Sequence, residues 1–221
     1  MMPNSKPKKY LPLFFNIENQ PCLVVGGGTV ALRKVEQLLL AGAEVTIISP
    51  EVEADLQKVI EQGACVWEQR KYSDDDLTNF RLVIATTNQP EVNRYIYTVC
   101  ISKGIPVNVV DQPELCTVIF PSIVRRGPIT MAISSGGQTP FLTKALRKEL
   151  ENYLEQFELL EHTELLIHFR DYVQAHTTDF ELKKKLYSRL LATDIDVLRS
   201  WSAGDPPLQL WEGWLEEEND G

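Results

Sequence analysis

A glycine triplet near the N-terminus is the segment of this sequence whose chemistry is easiest to define. Gly26, Gly28 and Ala31 occupy the three small-residue positions of a G-x-G-x-x-A pattern, and the apolar run Cys22–Val25 precedes them. The first glycine of this pattern allows a tight turn, the second lets a pyrophosphate approach the backbone, and the third small residue lets strand and helix pack closely. A helix that begins near Thr29 would also offer free amides to phosphate oxygens. The pattern predicts a dinucleotide site, although a tight strand-to-helix turn alone could use the same glycines.

Polar residues follow three further apolar runs and are the next candidates for a site. They are Ser49-Pro50-Glu51, Thr86-Thr87-Asn88 and Asp111. In an open parallel sheet, ligands bind beyond the carboxyl ends of the strands, so we expect these segments and the glycine turn at one edge. The position of the acid that binds a ribose, about 20 residues past the glycines, is held by Ser49, with Glu51 close behind. No arginine is found there to bind a 2′-phosphate, which favours NAD over NADP.

Asp111 is the candidate general base. It ends an apolar run, so we expect its carboxylate to point into the cofactor cleft, where a proton has to be removed. An aspartate ahead of Gln112-Pro113 is also a common turn residue. The position in the sequence does not separate the two interpretations.

A second polar segment precedes a predicted helix. Ser134, Ser135 and Gly136 place hydroxyls and flexible amides ahead of a helix that starts at Thr139-Pro140, an arrangement suited to an anion. An ordinary helix cap with a glycine loop has the same residues. On a chain of net charge −9, the basic residues near this segment indicate either a polyanionic small molecule or a solvated basic face; they are Arg125, Arg126, Lys144, Arg147 and Lys148.

Alternating strands and helices would position the first group of residues. Helices are predicted from Thr29 to Ala41, from Ser49-Pro50-Glu51 with the proline at the first helical position, and from Asn88 to Gly104. Strands this apolar, separated by helices, indicate a parallel sheet covered on both faces. The predicted fold class is α/β with a Rossmann-like sheet, whose strands are Cys22–Val25, Glu44–Ile48, Ala64–Trp67, Arg81–Thr86 and Pro106–Val110.

The pattern changes after this sheet. Two β-rich runs, Thr117–Val124 and Ile129–Ser134, are predicted to form a hairpin. From Phe141 onward the apolar spacing is helical, and we expect the segment from Trp201 onward to be partly disordered. The sequence therefore divides into a Rossmann-like domain over 1–115, a small β-rich segment over 116–150, and a helical C-terminal domain with an acidic tail over 151–221.

Composition excludes several classes of protein. The net charge of −9 argues against nucleic-acid binding through a basic surface, and no apolar run approaches the ~20 residues that span a bilayer. The four cysteines include no C-x-x-C pair, so we predict free thiols in the cytoplasm. The three histidines are never four residues apart, so no resident metal site is predicted.

Taken together, these residues resemble the precorrin-2 dehydrogenase / sirohydrochlorin ferrochelatase family, the N-terminal module of siroheme synthases. The matching segments occur in family order and cover residues 11 to about 150. They are Leu11-Pro12-Leu13-Phe14, Val24–Lys34, Ala85-Thr86-Thr87-Asn88, Asn108-Val109-Val110-Asp111, Phe120-Pro121-Ser122-Ile123 and Ile133–Pro140.

The resemblance implies an NAD-binding Rossmann domain, a central dimerisation segment and a helical C-terminal domain, assembled as a homodimer. It implies oxidation of precorrin-2 to sirohydrochlorin with NAD⁺, followed in some members by insertion of Fe²⁺. By this resemblance Asp111 acts in both reactions, and Ser135 matches a serine that is phosphorylated in some relatives. The expected cofactor residues are Gly26, Gly28, Thr29, Val30, Pro50, Glu51 and Thr86, and those expected near the tetrapyrrole are Asn108, Ser134, Ser135, Gly136, Arg125 and Lys144.

Three questions stay open from the sequence. Nothing in it decides whether the ferrochelatase activity is present. A non-catalytic NAD-sensing regulatory module, such as a ligand-binding domain of a potassium-transport regulator, would need neither Asp111 nor the basic residues around 125–148. A redox-sensing transcription factor would need a basic DNA-binding domain ahead of Cys22, for which we expect about twenty residues to be too few.

Overall fold

The computed structural model describes residues 8–201 and 205–219. These residues form two compact units. The first contains the described residues up to Phe120 together with Ser135–Thr139, and the second contains Pro121–Ser134 and the described residues from Pro140 onward. The division predicted from the sequence, with boundaries after residues 115 and 150, stays a prediction, because compact units do not define which segment would form a dimer contact.

A five-stranded parallel sheet is the centre of the first unit, with the strand order β3-β2-β1-β4-β5. Since β2 and β4 both pair with β1, the chain changes its direction of travel across the sheet between β3 and β4. The order confirms the predicted Rossmann-like α/β class. The elements are β1 (Pro21–Val25), α1 (Thr29–Leu40), β2 (Glu44–Ile48), α2 (Ala54–Glu61), β3 (Val66–Glu68), a 3₁₀ turn (Asp74–Asp76), β4 (Leu82–Ala85), α3 (Pro90–Lys103) and β5 (Val107–Val109).

Apolar side chains cover both faces of this sheet. Val24 of β1 packs in one cluster with Val35 of α1, whereas its neighbour Leu23 packs in another with Ile96 of α3. All four side chains are fully buried. Because successive side chains of a strand point to opposite faces, an uninterrupted apolar strand requires helices on both sides.

The second helix begins later than the sequence indicated. Pro50 predicted a start at that residue, but α2 starts at Ala54, with Glu53 as its N-cap residue. The residues between stay out of the helix because the Glu53 amide donates to the Gly27 carbonyl at 2.8 Å. The predicted start is therefore wrong, and residues 49–53 form a loop against the glycine turn.

A hairpin and a set of helices make up the described part of the second unit. The hairpin pairs β6 (Ser122–Arg126) with β7 (Ile129–Ile133) through the turn Gly127-Pro128. None of the helices in the described ranges, here or in the first unit, is both long and apolar enough to cross a membrane. The helices of the second unit are α4 (Pro140–Glu155), α5 (Thr163–His176), α6 (Phe180–Leu191), α7 (Ile195–Ser200) and α8 (Leu208–Asn219), with a 3₁₀ turn at Glu158–His162.

The predicted hairpin is confirmed, but its first strand is shorter than expected. We predicted the strand from Thr117, and it begins at Ser122. Thr117 instead belongs to the first unit, where its amide donates to the Val107 carbonyl at 2.9 Å and its hydroxyl accepts the Val107 amide at 2.8 Å. These bonds hold Thr117 beside β5.

The C-terminal segment was expected to be partly disordered, and this is wrong for residues 208–219. They form helix α8, in which Trp211 is only 1% exposed. The ring of Phe169 on α5 lies 5.0 Å from that of Trp211 and 5.9 Å from that of Trp214, measured between centroids. Burial of two indoles against a neighbouring helix offsets the cost of ordering the chain. Residues 202–204, 220 and 221 of this segment lie outside the described residues.

All four cysteines are free thiols, as predicted. Cys22, Cys100 and Cys116 are buried, and Cys65 is half-buried. Burial raises the pKa of Cys22 to about 11 and that of Cys100 to about 12. These two thiols therefore stay protonated and behave as small apolar side chains.

Candidate functional site

Gly26 makes the turn between β1 and α1. Its φ of +122° is one that glycine adopts far more readily than other residues, and a Cβ atom there would lie 2.3 Å from the hydroxyl oxygen of Thr86. Thr86 donates from its amide and its hydroxyl to the Val25 carbonyl, at 2.8 and 3.1 Å. The glycine turn and the end of β4 therefore meet between the two halves of the sheet, where ligands bind in folds of this type.

The next two glycines have opposite surroundings. A Cβ atom on Gly27 would lie 2.0 Å from the Glu51 carbonyl oxygen and 2.9 Å from Ser49 Oγ, so the loop after β2 packs directly on this residue. A Cβ atom on Gly28, the N-cap residue of α1, would meet nothing within 4 Å. This open space in front of helix amides fits the approach of a pyrophosphate. The G-x-G-x-x-A pattern does not predict a role for Gly27, because it allows any residue at that position.

Thr29 and Val30 lie in the first turn of α1, and both are exposed. The Thr29 hydroxyl donates to Glu53 Oε2 at 2.7 Å. Glu53 is therefore a further polar residue at this edge of the sheet. The sequence pattern did not reveal it, because residue 53 was predicted to lie inside a helix. The predicted contacts of Thr29 and Val30 with a cofactor stay a prediction.

The residues after β2 divide between the protein interior and solvent. Ser49 is buried, its hydroxyl donates to the Glu51 carbonyl at 2.6 Å, and its own carbonyl accepts a hydrogen bond from Trp67 Nε1 at 2.9 Å. Pro50 and Glu51 are exposed. Ser49 therefore shapes the loop, and Glu51 is the residue of this segment that offers a carboxylate to solvent.

An arginine from the neighbouring strand lies beside this loop. The amides of Ser49 and Arg70 donate to the same carbonyl oxygen, that of Glu68, at 3.3 and 2.8 Å. The Arg70 guanidinium forms ion pairs with Glu68 and with Asp76. The residues that directly follow β2 include no arginine, so the position of the ribose-binding acid did not predict this one.

A buried asparagine fixes the loop after β4. Asn93, on α3, is 4% exposed, and its Nδ2 donates to the Thr87 carbonyl at 2.9 Å. Its Oδ1 accepts a hydrogen bond from the Thr87 hydroxyl at 2.7 Å. Two hydrogen bonds of the Asn93 side chain thus hold the loop that follows Thr86. The sequence motifs did not predict these bonds.

Asp111 follows β5 in a left-handed backbone conformation, with φ +61°. The Gln112 amide donates to the Val109 carbonyl at 3.3 Å, which closes a tight turn around it. The Asp111 side chain is exposed, and its carboxylate forms no hydrogen bond or ion pair with any residue in the described ranges. Asp111 is therefore a turn residue with an exposed carboxylate, and its role as the general base stays a prediction.

Asn108 is a buried polar residue on β5. It is 7% exposed, and its Nδ2 donates to the Val118 carbonyl at 2.9 Å and contacts Cys116 Sγ at 3.5 Å. These contacts tie β5 to the segment that leaves it. The expected contact of Asn108 with a substrate stays a prediction.

The Ser-Gly segment forms a hydrogen-bonded loop. Ser135 Oγ accepts a hydrogen bond from the Thr139 amide at 3.0 Å, just ahead of α4. Gly136 and Gly137 have φ values of +62° and +83°, so the loop depends on glycine at both positions. Ser134 is exposed at the end of the hairpin in the second unit, whereas Ser135 and Gly136 belong to the first. The assignment of these residues to the substrate stays a prediction.

The two basic residues assigned to the substrate lie in the second unit. Arg125 is on β6, where it pairs with Thr130, and Lys144 is on α4. Both side chains are exposed. Each is therefore accessible to an anionic ligand.

Two family models match the chain. The one described as putative NAD(P)-binding matches residues 13–122, and the one described as sirohaem biosynthesis protein central matches residues 126–153. The first match contains the whole parallel sheet. The second contains β7 and most of α4.

Curated relatives of this chain include siroheme synthases. The one from Nitrosococcus oceani is 45% identical over 148 residues, which is 67% of this chain and 32% of the relative. The one from Thioalkalivibrio sulfidiphilus is 40% identical over 208 residues, which is 94% of this chain and 42% of the relative. The chain therefore spans less than half the length of these relatives.

A solved structure named "SirC, precorrin-2 dehydrogenase" aligns with 96% of this chain and 100% of its own chain, with a TM-score of 0.70. At 22% identity, this match concerns the fold, which has the same succession of parallel sheet, hairpin and helices. The two family models follow one another along the sequence in the same order as these elements. The chain therefore belongs to the siroheme synthase family, as the module that joins an NAD(P)-binding domain to the sirohaem biosynthesis central segment.

Proposed function

We propose that this chain oxidises precorrin-2 to sirohydrochlorin, with NAD⁺ as electron acceptor, in the cytoplasmic synthesis of siroheme. One observation carries the proposal: the open glycine turn at Gly28 and the exposed carboxylate of Asp111 both lie at the carboxyl edge of one parallel sheet. The relatives are named siroheme synthases, and the solved structure is named a precorrin-2 dehydrogenase, which supports the same reaction.

The dinucleotide would be held by backbone and by one acid. The amides of the first turn of α1 face the space in front of Gly28 and would bind the pyrophosphate. The Glu51 carboxylate would accept hydrogen bonds from ribose hydroxyls and repel a 2′-phosphate, which favours NAD over NADP. Bound NAD⁺ supplies the acceptor for a hydride.

Asp111 would remove the proton that the reaction releases. Oxidation of precorrin-2 breaks two bonds to hydrogen, one of which leaves as a hydride and the other as a proton. An exposed carboxylate without an ion-pair partner among the described residues is a suitable acceptor for that proton. The tight turn around Asp111 holds this carboxylate at the edge of the sheet.

The substrate is a tetrapyrrole that carries several carboxylates. Cationic side chains, hydroxyls and amides would bind these carboxylates, and an acidic protein has to supply such groups locally. The candidates for this role are Arg125, Lys144, Ser134, Ser135, Gly136 and Asn108.

The hairpin and α4 support a homodimer. Each strand of a two-stranded sheet has an open edge unless another strand pairs with it, and pairing with the same element of a second copy closes both. The first half of α4 also exposes Phe141, Leu142 and Leu146, at 75%, 57% and 45%. Large apolar side chains that recur on one stretch of a helix are typical of a contact surface.

Insertion of Fe²⁺ into the product is a further activity that the resemblance implies for some members of the family. Within residues 8–201 and 205–219, no group of three or more His, Cys, Asp and Glu side chains could hold a metal ion. Such a reaction would therefore take Fe²⁺ as a substrate, with the pyrrole nitrogens as its ligands and Asp111 as the base. Incubation of sirohydrochlorin and Fe²⁺ without NAD tests this: siroheme formation faster than the protein-free rate is expected if the activity is present.

Turnover of precorrin-2 tests the proposed function. The chain should convert precorrin-2 and NAD⁺ to sirohydrochlorin and NADH in equal amounts, over many turnovers per protein molecule. Binding of NAD without any turnover would contradict the proposal and favour the NAD-sensing regulatory module.

A further inference from the structure

We propose that Arg70 and its two acidic partners, Glu68 and Asp76, determine the preference of this site for NAD over NADP. The inference rests on the proposed function, in that the first unit binds a nicotinamide dinucleotide. It assigns part of the discrimination between NAD and NADP to Arg70, which follows β3, in addition to the residues after β2.

Arg70 lies beside the ribose position. The amides of Ser49 and Arg70 converge on the Glu68 carbonyl oxygen, at 3.3 and 2.8 Å. Ser49 is the residue at the position of the ribose-binding acid, and Ile48 is the register partner of Glu68 across β2 and β3. The backbone of Arg70 therefore lies beside the loop that would hold the ribose, and its guanidinium is a candidate cation for a 2′-phosphate.

Two carboxylates accept hydrogen bonds from this guanidinium. Asp76 binds it through both oxygens, with Nη1–Oδ2 and Nη2–Oδ1 distances of 2.8 and 2.6 Å. Glu68 Oε2 binds Nη2 as well, and the Lys71 carbonyl accepts from Nη1 at 3.1 Å. The planar fork that would bind a phosphate in a bidentate way is thus already filled.

Asp76 is itself fixed in place. Its side chain is 7% exposed, and its Oδ2 accepts the Ser73 amide at 2.6 Å in a reciprocal cap of the 3₁₀ turn. Burial alone would raise the pKa of Asp76, but the hydrogen bonds from Arg70 and Ser73 outweigh burial and hold this pKa below its ordinary value. The same ion pairs raise the pKa of Arg70. With two carboxylates around one guanidinium, the cluster has a formal net charge of about −1.

A 2′-phosphate would therefore meet net negative charge and a guanidinium without a free donor pair. Bidentate binding by an arginine is a common way in which sites of this fold accept NADP. Neutral amides in place of the carboxylates would leave the guanidinium in position and free its fork. The ratio of NADP to NAD affinity should then rise, and the rise should depend on Arg70.

The experiment titrates NAD and NADP onto the full chain and three variants: Glu68→Gln, Glu68→Gln/Asp76→Asn, and the latter with Arg70→Gln. Glu68 has a side chain that is 42% exposed, so Glu68→Gln tests the inference even where the double variant does not fold. We expect the affinity ratio to shift toward NADP in Glu68→Gln and by about tenfold in the double variant, a typical effect of hydrogen bonds to a charged group. Arg70→Gln should remove the gain.

An unchanged ratio in Glu68→Gln and the double variant, with NAD still bound, would overturn this inference alone. A gain in NADP affinity that persists without Arg70 would overturn it too, because general loss of negative charge would then explain the shift. A parent chain that binds neither dinucleotide would overturn the proposed function, and this inference with it.

Discussion

At the scale of single residues, three neighbouring glycines serve three different needs. Gly26 needs a positive φ, Gly27 needs room for the Glu51 carbonyl, and Gly28 borders open space at a helix end. The pattern in the sequence predicted the first role, which the φ angle confirms. It could not reveal the second, because the carbonyl that packs on Gly27 arrives from a loop 24 residues further along the chain.

Alanine at the last two glycines should separate folding from binding. Gly27→Ala places a Cβ atom 2.0 Å from the Glu51 carbonyl oxygen, so we expect a loss of about 3 kcal/mol in the free energy of unfolding, as in overpacked cores. Gly28→Ala meets no neighbour and should cost less than about 1 kcal/mol, an N-cap effect, while it weakens NAD binding. Chemical denaturation and NAD titration of both variants give the comparison. Equal stability of the two would contradict the packing role of Gly27.

At the scale of elements, the sequence predicted helix ends correctly where a local residue determines the backbone conformation. Pro90 and Gly104 mark the two ends of α3 as expected, since each fixes backbone conformation locally. The start of α2 and the order of α8 were predicted wrongly, because both depend on distant contacts. In α2 the contact is with Gly27, and in α8 it is the packing of Trp211 on Phe169.

Helix α8 should be part of the core of the second unit. Trp211→Ala removes a fully buried indole, so we expect a loss of about 3–5 kcal/mol in the free energy of unfolding. The matched control is Leu208→Ala on the same helix, whose side chain is 51% exposed and should cost less than about 1 kcal/mol. Denaturant titrations measure both. Similar small losses would show that α8 adds little to the stability of the unit.

The 3₁₀ turn between β3 and β4 should weaken in acid. Asp76 has a pKa below its ordinary value in the folded chain, so its carboxylate contributes stability that is fully present above the unfolded pKa of about 3.9. That contribution is lost as the pH falls through the lower folded pKa. Asp76→Asn should therefore be less stable than the parent at neutral pH, and the difference should shrink below about pH 4. A difference that does not depend on pH would exclude a charge effect.

At the scale of the whole molecule, the exposed apolar residues of α4 and the open hairpin edges make self-association the main expectation. Sedimentation should give about twice the 25.1 kDa of one chain. Leu142→Glu/Leu146→Glu should shift the chain toward monomer, because two charges would have to be buried at the contact. Leu191→Glu on α6, where the parent side chain is also exposed at 60%, is the control and should leave the mass unchanged. A parent monomer that retains activity would contradict the homodimer.

The most direct test of the account compares the parent with Asp111→Asn in the oxidation of precorrin-2 by NAD⁺, followed as NADH formation. Asparagine keeps the size of the side chain and accepts the φ of +61° at this turn, so folding and NAD affinity should be unchanged. The account predicts a steady rate for the parent and a rate about 10²–10⁴-fold lower for the variant, the usual contribution of a general base. A variant that binds NAD normally and oxidises precorrin-2 within a few-fold of the parent rate would contradict the role of Asp111. A parent that produces no NADH from precorrin-2 would contradict the account as a whole.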